Sequence, residues 1–184
     1  MRLRILTLFV LAISLSTNVR PGSAQSATGP ELTAAFLVNF VKFTSWPESA
    51  LAADAPIVMC VVGRDQVADA IEALTTRLTI GGRPVSIRRL RNGSAVGECH
   101  VLYVTDIDGK HSEHVLRDAA SQPILTVSDV KHFAERGGIA GLFVEQGRMR
   151  FTVNTDAAER ARLRISSKLL SLAKIVKDDH AARQ

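Results

Sequence analysis

The middle of the chain alternates short β-rich runs with helical segments, and this alternation restricts the fold more than any other feature. Parallel strands need a long crossover connection, usually a helix, because a tight turn can join only antiparallel strands. The pattern therefore predicts an α/β fold with a mainly parallel sheet flanked by helices on both faces. The predicted strands are 57–62, 85–90, 99–105 and 123–127, and the predicted helices are 65–74, 112–120 and a short one from 128 or 129 to 135.

Two further β-rich runs, 139–145 and 148–154, are separated only by Gln146 and Gly147. A two-residue turn that ends in glycine is typical of a primed β-hairpin turn, because glycine adopts a positive φ without steric cost. The first run is apolar on both faces, which predicts an interior position in the sheet. The second alternates apolar and polar residues, which predicts one buried face. Its apolar residues are Met149, Phe151 and Val153.

The residues after the hairpin predict two C-terminal helices. Thr155 or Asp156 can cap the first, with Glu159 placed for a capping box. The second is predicted over 166–177, because four apolar residues recur with helical spacing and form one stripe. Leu170 falls outside that stripe. The stripe consists of Leu169, Leu172, Ala173 and Val176.

A helix is also predicted over 31–45, ending before Trp46 and Pro47. It is apolar nearly all round, which indicates burial on two sides. The sheet can cover one side, and a neighbouring helix or a partner surface can cover the other. Trp46 is the single tryptophan, and it is interpreted as an anchor for the helix end, with ligand binding as the weaker alternative.

The first 24 residues have the order of an export signal. Arg2 and Arg4 precede an apolar run, 5–14, that is too short to span a bilayer, and small residues precede the predicted cleavage after Ala24. A membrane anchor or a buried helix is the alternative, which Pro21 and the residues after it disfavour. The mature chain, 25–184, then suits a single domain that is not embedded in a membrane. Its net charge falls from +5 to about +2, which argues against nucleic-acid binding.

Cys60 and Cys99 are the two cysteines of the chain, and both lie beside predicted strands. In an exported protein such a pair usually forms a disulfide. Two buried thiols are the alternative.

No catalytic or metal-binding motif is found in the sequence. The mature chain lacks a P-loop, a dinucleotide-binding fingerprint and a nucleophile elbow. His111 and His114 are three residues apart, but no carboxylate or cysteine is spaced to complete a metal site. The sequence therefore predicts a protein that is not an enzyme and needs no cofactor.

Three long runs resemble the YfiR family of periplasmic regulators, and together they cover roughly residues 31–176. The resemblance implies a periplasmic protein that binds and inhibits an inner-membrane diguanylate cyclase, which lowers cyclic di-GMP signalling and biofilm formation. It leaves open an outer-membrane lipoprotein that sequesters the protein, and a homodimer. Some members carry a second cysteine pair that this chain lacks. The runs are AAFLVNFVKFTSWPE, PILTVSDVKHFAERGGIAGLFVEQGRMRF and TVNTDAAERARLRISSKLLSLAKIV.

The C-terminal region is the predicted partner-binding surface. Leu170 lies off the buried stripe and would form an apolar centre, and neighbouring arginines would form a charged rim. Leu163 and Ile165 are either part of this surface or part of the core. The alternative function is a periplasmic binding module for a small ligand or cell-wall fragment, which should show an enclosed pocket rather than an exposed apolar patch. The rim residues are Arg160, Arg162 and Arg164.

Overall fold

A computed structural model describes residues 29–63, 65–76, 79–91, 94–105 and 109–177 of the chain. The predicted export signal, 1–24, lies outside these residues. The helices are α1 (Pro30–Lys42), α2 (Asp65–Thr75), α3 (Gly109–Ala119), α4 (Thr155–Arg160) and α5 (Ser167–Leu170). The strands are β1 (Thr44–Ser45), β2 (Ile57–Val62), β3 (Val85–Leu90), β4 (Val101–Val104), β5 (Leu125–Ser128), β6 (Ala140–Glu145), β7 (Arg148–Asn154), β8 (Arg164–Ile165) and β9 (Lys174–Val176).

Within the described ranges the larger sheet has seven strands in the order β3-β2-β4-β5-β6-β7-β9. Strands β3 to β6 run parallel to their neighbours, β6 and β7 form an antiparallel hairpin, and β9 returns parallel to β7. The mainly parallel α/β sheet is thereby confirmed. The first hairpin strand, β6, lies between β5 and β7, so its interior position is also confirmed.

Helices cover both faces of the sheet, as the alternating pattern predicted. On one face the apolar side chains of α1, α2 and α4 pack against alternate residues of the central strands and form the main core. On the opposite face α3 packs against the other residues of β2 and β4 and forms a second core. Because both faces are covered, the central strands are apolar at nearly every position.

The β6–β7 hairpin has the predicted two-residue turn. Gln146 has φ 50° and Gly147 has φ 72°, so both central residues are in the left-handed region that a type I′ turn requires. The turn sets the register, in which Leu142 lies opposite Phe151. Phe151 and Val153 are buried as the alternation predicted, but Thr152 and Asn154 on the opposite face are buried too, so the second half of β7 is covered on both faces.

Helix α1 is buried on two sides, against the sheet and against α2. Phe36 and Phe40 of α1 meet Phe151 of β7 edge to face, with ring centroids 6.0 and 5.1 Å from that of Phe151. The helix ends at Lys42, short of the predicted 45. Thr44–Ser45 instead pairs antiparallel with Arg164–Ile165, and this pairing ends the helix.

The prediction of a helix over 166–177 is wrong. Helix α5 covers only Ser167–Leu170, and residues Lys174–Val176 form strand β9 beside β7. Strand β9 pairs with the backbone groups at the free edge of β7. The adjacent β-branched residues Ile175 and Val176 favour the strand conformation. Helical spacing over 12 residues did not outweigh these sheet hydrogen bonds.

Two smaller predictions about helix ends are also corrected. The cap of α4 is Asn154 rather than Thr155 or Asp156: its Oδ1 accepts from the Ala157 N–H at 2.9 Å, and its Nδ2 donates to the Ala134 carbonyl at 2.8 Å. The segment predicted as a short helix to residue 135 forms turns instead. Ser128 stabilises its start by accepting from the Val130 N–H at 3.0 Å.

Candidate partner-binding surface

The disulfide between Cys60 and Cys99 is confirmed. It joins β2 to the residue two before β4, with the two Cα atoms 5.7 Å apart and both side chains buried against α3. The bridge lies in the second core, on the opposite sheet face from α1. It therefore acts on the stability of the sheet rather than forming part of an exposed surface.

The basic segment, residues 160–164, begins where α4 ends in a Schellman motif. The Leu163 N–H donates to the Ala158 carbonyl at 2.9 Å, and the Arg162 N–H donates to the Glu159 carbonyl at 2.8 Å. Arg162 occupies the position where the backbone turns left-handed, with φ 57°. Glycine is the usual residue there, so an arginine at this position is strained.

The Schellman motif explains where Leu163 lies. The residue after the left-handed position usually packs back against the helix, and Leu163 is 4% exposed within the main core. Of the two alternatives left open for Leu163, partner-binding surface or core, its burial supports the core. A Schellman motif recognised in the sequence would have predicted this burial, but recognising it requires the position at which α4 ends.

The remaining residues of the predicted surface lie between the end of α4 and the end of α5. The side chains of the three arginines, 160, 162 and 164, are exposed. Ile165 and Leu170 are half-buried and pack against the main core. Residues 160–170 thus carry three exposed arginines and two partly covered apolar side chains, on α4, β8 and α5.

Sequence reasoning missed three exposed large apolar residues in the second half of the chain. Leu172 is 71% exposed, Ile175 is 47% exposed, and Val144 of β6 is 50% exposed. The interpretation of 166–177 as one helix placed Leu172 on a buried stripe. The β-branched pair Ile175 and Val176 was the one signal for a strand, and three residues are too few to recognise a strand from sequence.

Trp46, the weaker ligand candidate, is half-buried and anchors the loop after α1. Its indole Nε1 donates to the His100 carbonyl at 3.2 Å. It also lines a surface cavity of about 320 Å³, which lies at the lower end of the range for small-molecule sites. Lys42 and Arg83 supply positive charge at this cavity, and the apolar lining residues are Val41, Leu51, Ile57 and Ile80.

His100 is a hydrogen-bonded structural histidine. Its Nδ1 accepts from the Val58 N–H at 3.0 Å, so the ring is neutral with its proton on Nε2, which lies 3.1 Å from the Ala50 carbonyl. Burial is the main cause that lowers the pKa of His100; the hydrogen bond to Ala50 acts in the opposite direction, and the charge of Arg83 lowers the pKa further. Both ring nitrogens are thus engaged in holding the loop onto the sheet.

The described part of the chain contains no group of three or more His, Cys, Asp or Glu residues that could hold a metal ion. His114 is exposed and lies 3.1 Å from Asp118, one helical turn on. The side chain of His111 lies outside the described residues. In the same described residues, no helix has the length and apolar content that crossing a bilayer requires.

A comparison with protein families gives one match that covers most of the chain. A family model described as YfiR/HmsC-like matches residues 30–174. The match runs from the first residue of α1 to the first residue of β9, so it includes the disulfide, the hairpin and the basic segment.

Proposed function

The chain belongs to the YfiR/HmsC-like family, and on that premise we propose that it binds the periplasmic domain of an inner-membrane diguanylate cyclase and keeps the cyclase inactive. The family is regulatory, and membership supports a periplasmic regulator of a diguanylate cyclase. Direct binding and inhibition by this chain, and the surface it uses, are the proposal.

The left-handed backbone of Arg162 is the observation that supports the choice of this surface. A residue with a β-carbon in the left-handed conformation costs about 1–2 kcal/mol, and glycine would avoid most of that cost. Strained residues are frequent at functional positions, where the side chain is needed. Arg162 is exposed, and so are Arg160 and Arg164. We infer that these three arginines meet acidic groups of the cyclase.

The inhibition needs no chemistry. A cyclase whose periplasmic domain exchanges between two conformations is turned off if this protein binds the inactive conformation more tightly. Moving the domain from 1% to 99% inactive requires about 10,000-fold tighter binding to that conformation. An apolar centre formed by Ile165 and Leu170, with a basic rim, can discriminate in this way because it contacts only the conformation that presents a matching surface.

Deletion of the gene and purification of the envelope complex test the proposal. Deletion should raise cellular cyclic di-GMP and biofilm, and a cyclase should co-purify with the tagged protein. The same purification would detect an outer-membrane lipoprotein, and the mass of the purified protein would detect a homodimer. If cyclic di-GMP is unchanged and no cyclase co-purifies, the regulator proposal fails.

Point variants then test the surface. Arg162→Gly removes the guanidinium and relieves backbone strain, so weaker inhibition by this variant would not reflect unfolding. Arg162→Lys retains a cation at the same position and should inhibit more strongly than the glycine variant. Leu170→Asp should also abolish inhibition, but Leu170 packs against the core, so this variant needs a thermal unfolding control.

The cavity beside Trp46 supports a second candidate function, binding of a small ligand. The combination of an indole, an apolar lining and the two cations of Lys42 and Arg83 suits a small apolar anion. Trp46 is the single tryptophan of the chain, so its fluorescence reports directly on this site. A saturable change with a panel of aromatic and aliphatic carboxylates, absent in Arg83→Gln, would support this candidate over the regulator.

A further inference from the structure

The outer edge of β9 is an exposed sheet edge that lies outside the proposed partner-binding surface. Strand β9 is the last strand of the sheet and pairs with β7. On its other side, no strand among the described residues pairs with it. The backbone N–H and C=O groups on that side are therefore available for another strand.

The two faces of the sheet at this edge differ in chemistry. Residues that lie opposite each other in neighbouring strands point to the same face. Ile175 lies opposite Val153, and Val144 lies opposite Met149, so these residues form one apolar face. Lys174 lies opposite Thr152 and therefore shares the other face with Arg148 and Arg150, which alternate with Thr152 along β7.

The two edges of the sheet differ in how far their basic side chains form ion pairs. At the β3 edge, Arg88 pairs with Glu98, and Arg89 pairs with Asp69 and Glu72 of α2. At the β9 edge, the one ion pair among the described residues is the contact of 4.0 Å between Arg150 and Glu145. The β3 edge is thus neutralised by the chain itself, whereas Lys174 and Lys177 at the β9 edge form no ion pair with another described residue.

Lysine at a sheet edge often protects against unwanted strand pairing. That explanation accounts for Lys174 and Lys177, but not for the exposure of Leu172 and Ile175 beside them. Exposed apolar side chains raise the tendency to associate, which is the opposite of protection. Apolar residues next to uncompensated cations instead match a partner that is apolar on one side and acidic on the other.

We propose that the edge of β9 receives an extended segment of the partner as an additional strand, in which apolar residues alternate with Asp or Glu. This inference rests on the proposed function, since the segment belongs to the cyclase. Its apolar side chains continue the face of Ile175, and its carboxylates meet Lys174. A second copy of this chain is disfavoured, because its own β9 would bring like charges together.

Hydrogen exchange on the complex of the mature protein with the cyclase periplasmic domain tests strand addition. In the free protein, the N–H groups of residues 174–176 that point away from β7 should exchange fast. In the complex they should become protected, which contact through side chains alone would not produce. Protection already present in the free protein, or appearing with protein concentration, would show an occupant from the same chain or a second copy and would overturn the inference.

Two matched variants test the apolar face. Ile175→Asp should weaken binding by about tenfold or more, as expected for a central apolar contact. Leu74→Asp is the control, because Leu74 is a leucine of α2 with similar exposure, 43%, and it should change binding by no more than about twofold. Thermal unfolding of both variants verifies that each is folded.

The outcomes separate this inference from the proposed function. If the cyclase binds but Ile175→Asp behaves like Leu74→Asp and residues 174–176 are not protected, the strand-addition inference is wrong while the regulator proposal stands. If no cyclase binds the protein at all, both fail. If Lys174→Glu weakens binding more at low salt than at high salt, the acidic character of the segment is supported.

Discussion

Replacement of Arg162 by glycine should make the protein more stable, although most substitutions destabilise. Arg162 has φ 57° at the C-terminal end of α4, and its N–H donates to the Glu159 carbonyl. The left-handed conformation costs a residue with a β-carbon about 1–2 kcal/mol. Glycine removes this cost but loses about 0.5–1 kcal/mol through its greater freedom in the unfolded chain. The midpoints of these two ranges give an expected net gain of about 0.75 kcal/mol in the free energy of unfolding.

Urea denaturation followed by circular dichroism measures this gain directly, and thermal unfolding should show a rise of about 1–4 °C in Tm. Arg160→Gly is the matched control, because Arg160 is the last helical residue of α4. Glycine in a helix loses up to about 1 kcal/mol, so the two substitutions should change stability in opposite directions.

The reasoning would be refuted if Arg162→Gly lowered the free energy of unfolding as much as Arg160→Gly does. The guanidinium of Arg162 would then stabilise the fold by more than the backbone strain costs, and strain could no longer be used as evidence for a binding role. A more stable variant that inhibits the cyclase less would instead separate the fold of this segment from its function.

Three further predictions concern the fold. Cys60→Ala should lower stability by about 4 kcal/mol in the chain-entropy model, since the bridge closes a separation of 39 residues; an equal loss on reducing the wild type would check it. Stability should fall as the pH drops below 6.5, because the folded pKa of His100 is lowered and the unfolded chain binds the proton first; this dependence should flatten in His100→Gln. Phe151→Ala should cost about 3–5 kcal/mol, because the side chain is buried against two phenylalanines of α1; a loss below about 1 kcal/mol in denaturant titration would contradict that packing.

Local patterns in the sequence were sufficient for the central elements. Strands β2 and β3 begin and end at the residues predicted from their apolar runs, and the hairpin turn at Gln146 and Gly147 follows from the positive φ that glycine tolerates. The pairing of Cys60 with Cys99 also followed from the residues alone, because an exported chain with two cysteines offers only one intramolecular bridge.

The C-terminal surface could not be predicted from the sequence in this way. Residues 166–177 carry apolar side chains at helical spacing, and the β-branched pair Ile175 and Val176 is the one local signal against a helix. Whether these residues form a helix or a strand depends on β7. That strand precedes them in the chain and offers a free edge with which Lys174–Val176 pairs. The burial of Leu163 likewise depends on where the last turn of α4 lies. Asn154 caps the start of that short helix.

The sequence by itself therefore determined the fold class, the positions of the main strands along the chain, the hairpin and the disulfide, because each depends on side chains close together in the chain or on a pairing without alternatives. Tertiary structure decided which apolar residues of the last 20 described positions are buried, since a short segment takes the conformation that its neighbours can pair with. Leu172 and Ile175 became exposed, and Leu163 became buried, for that reason.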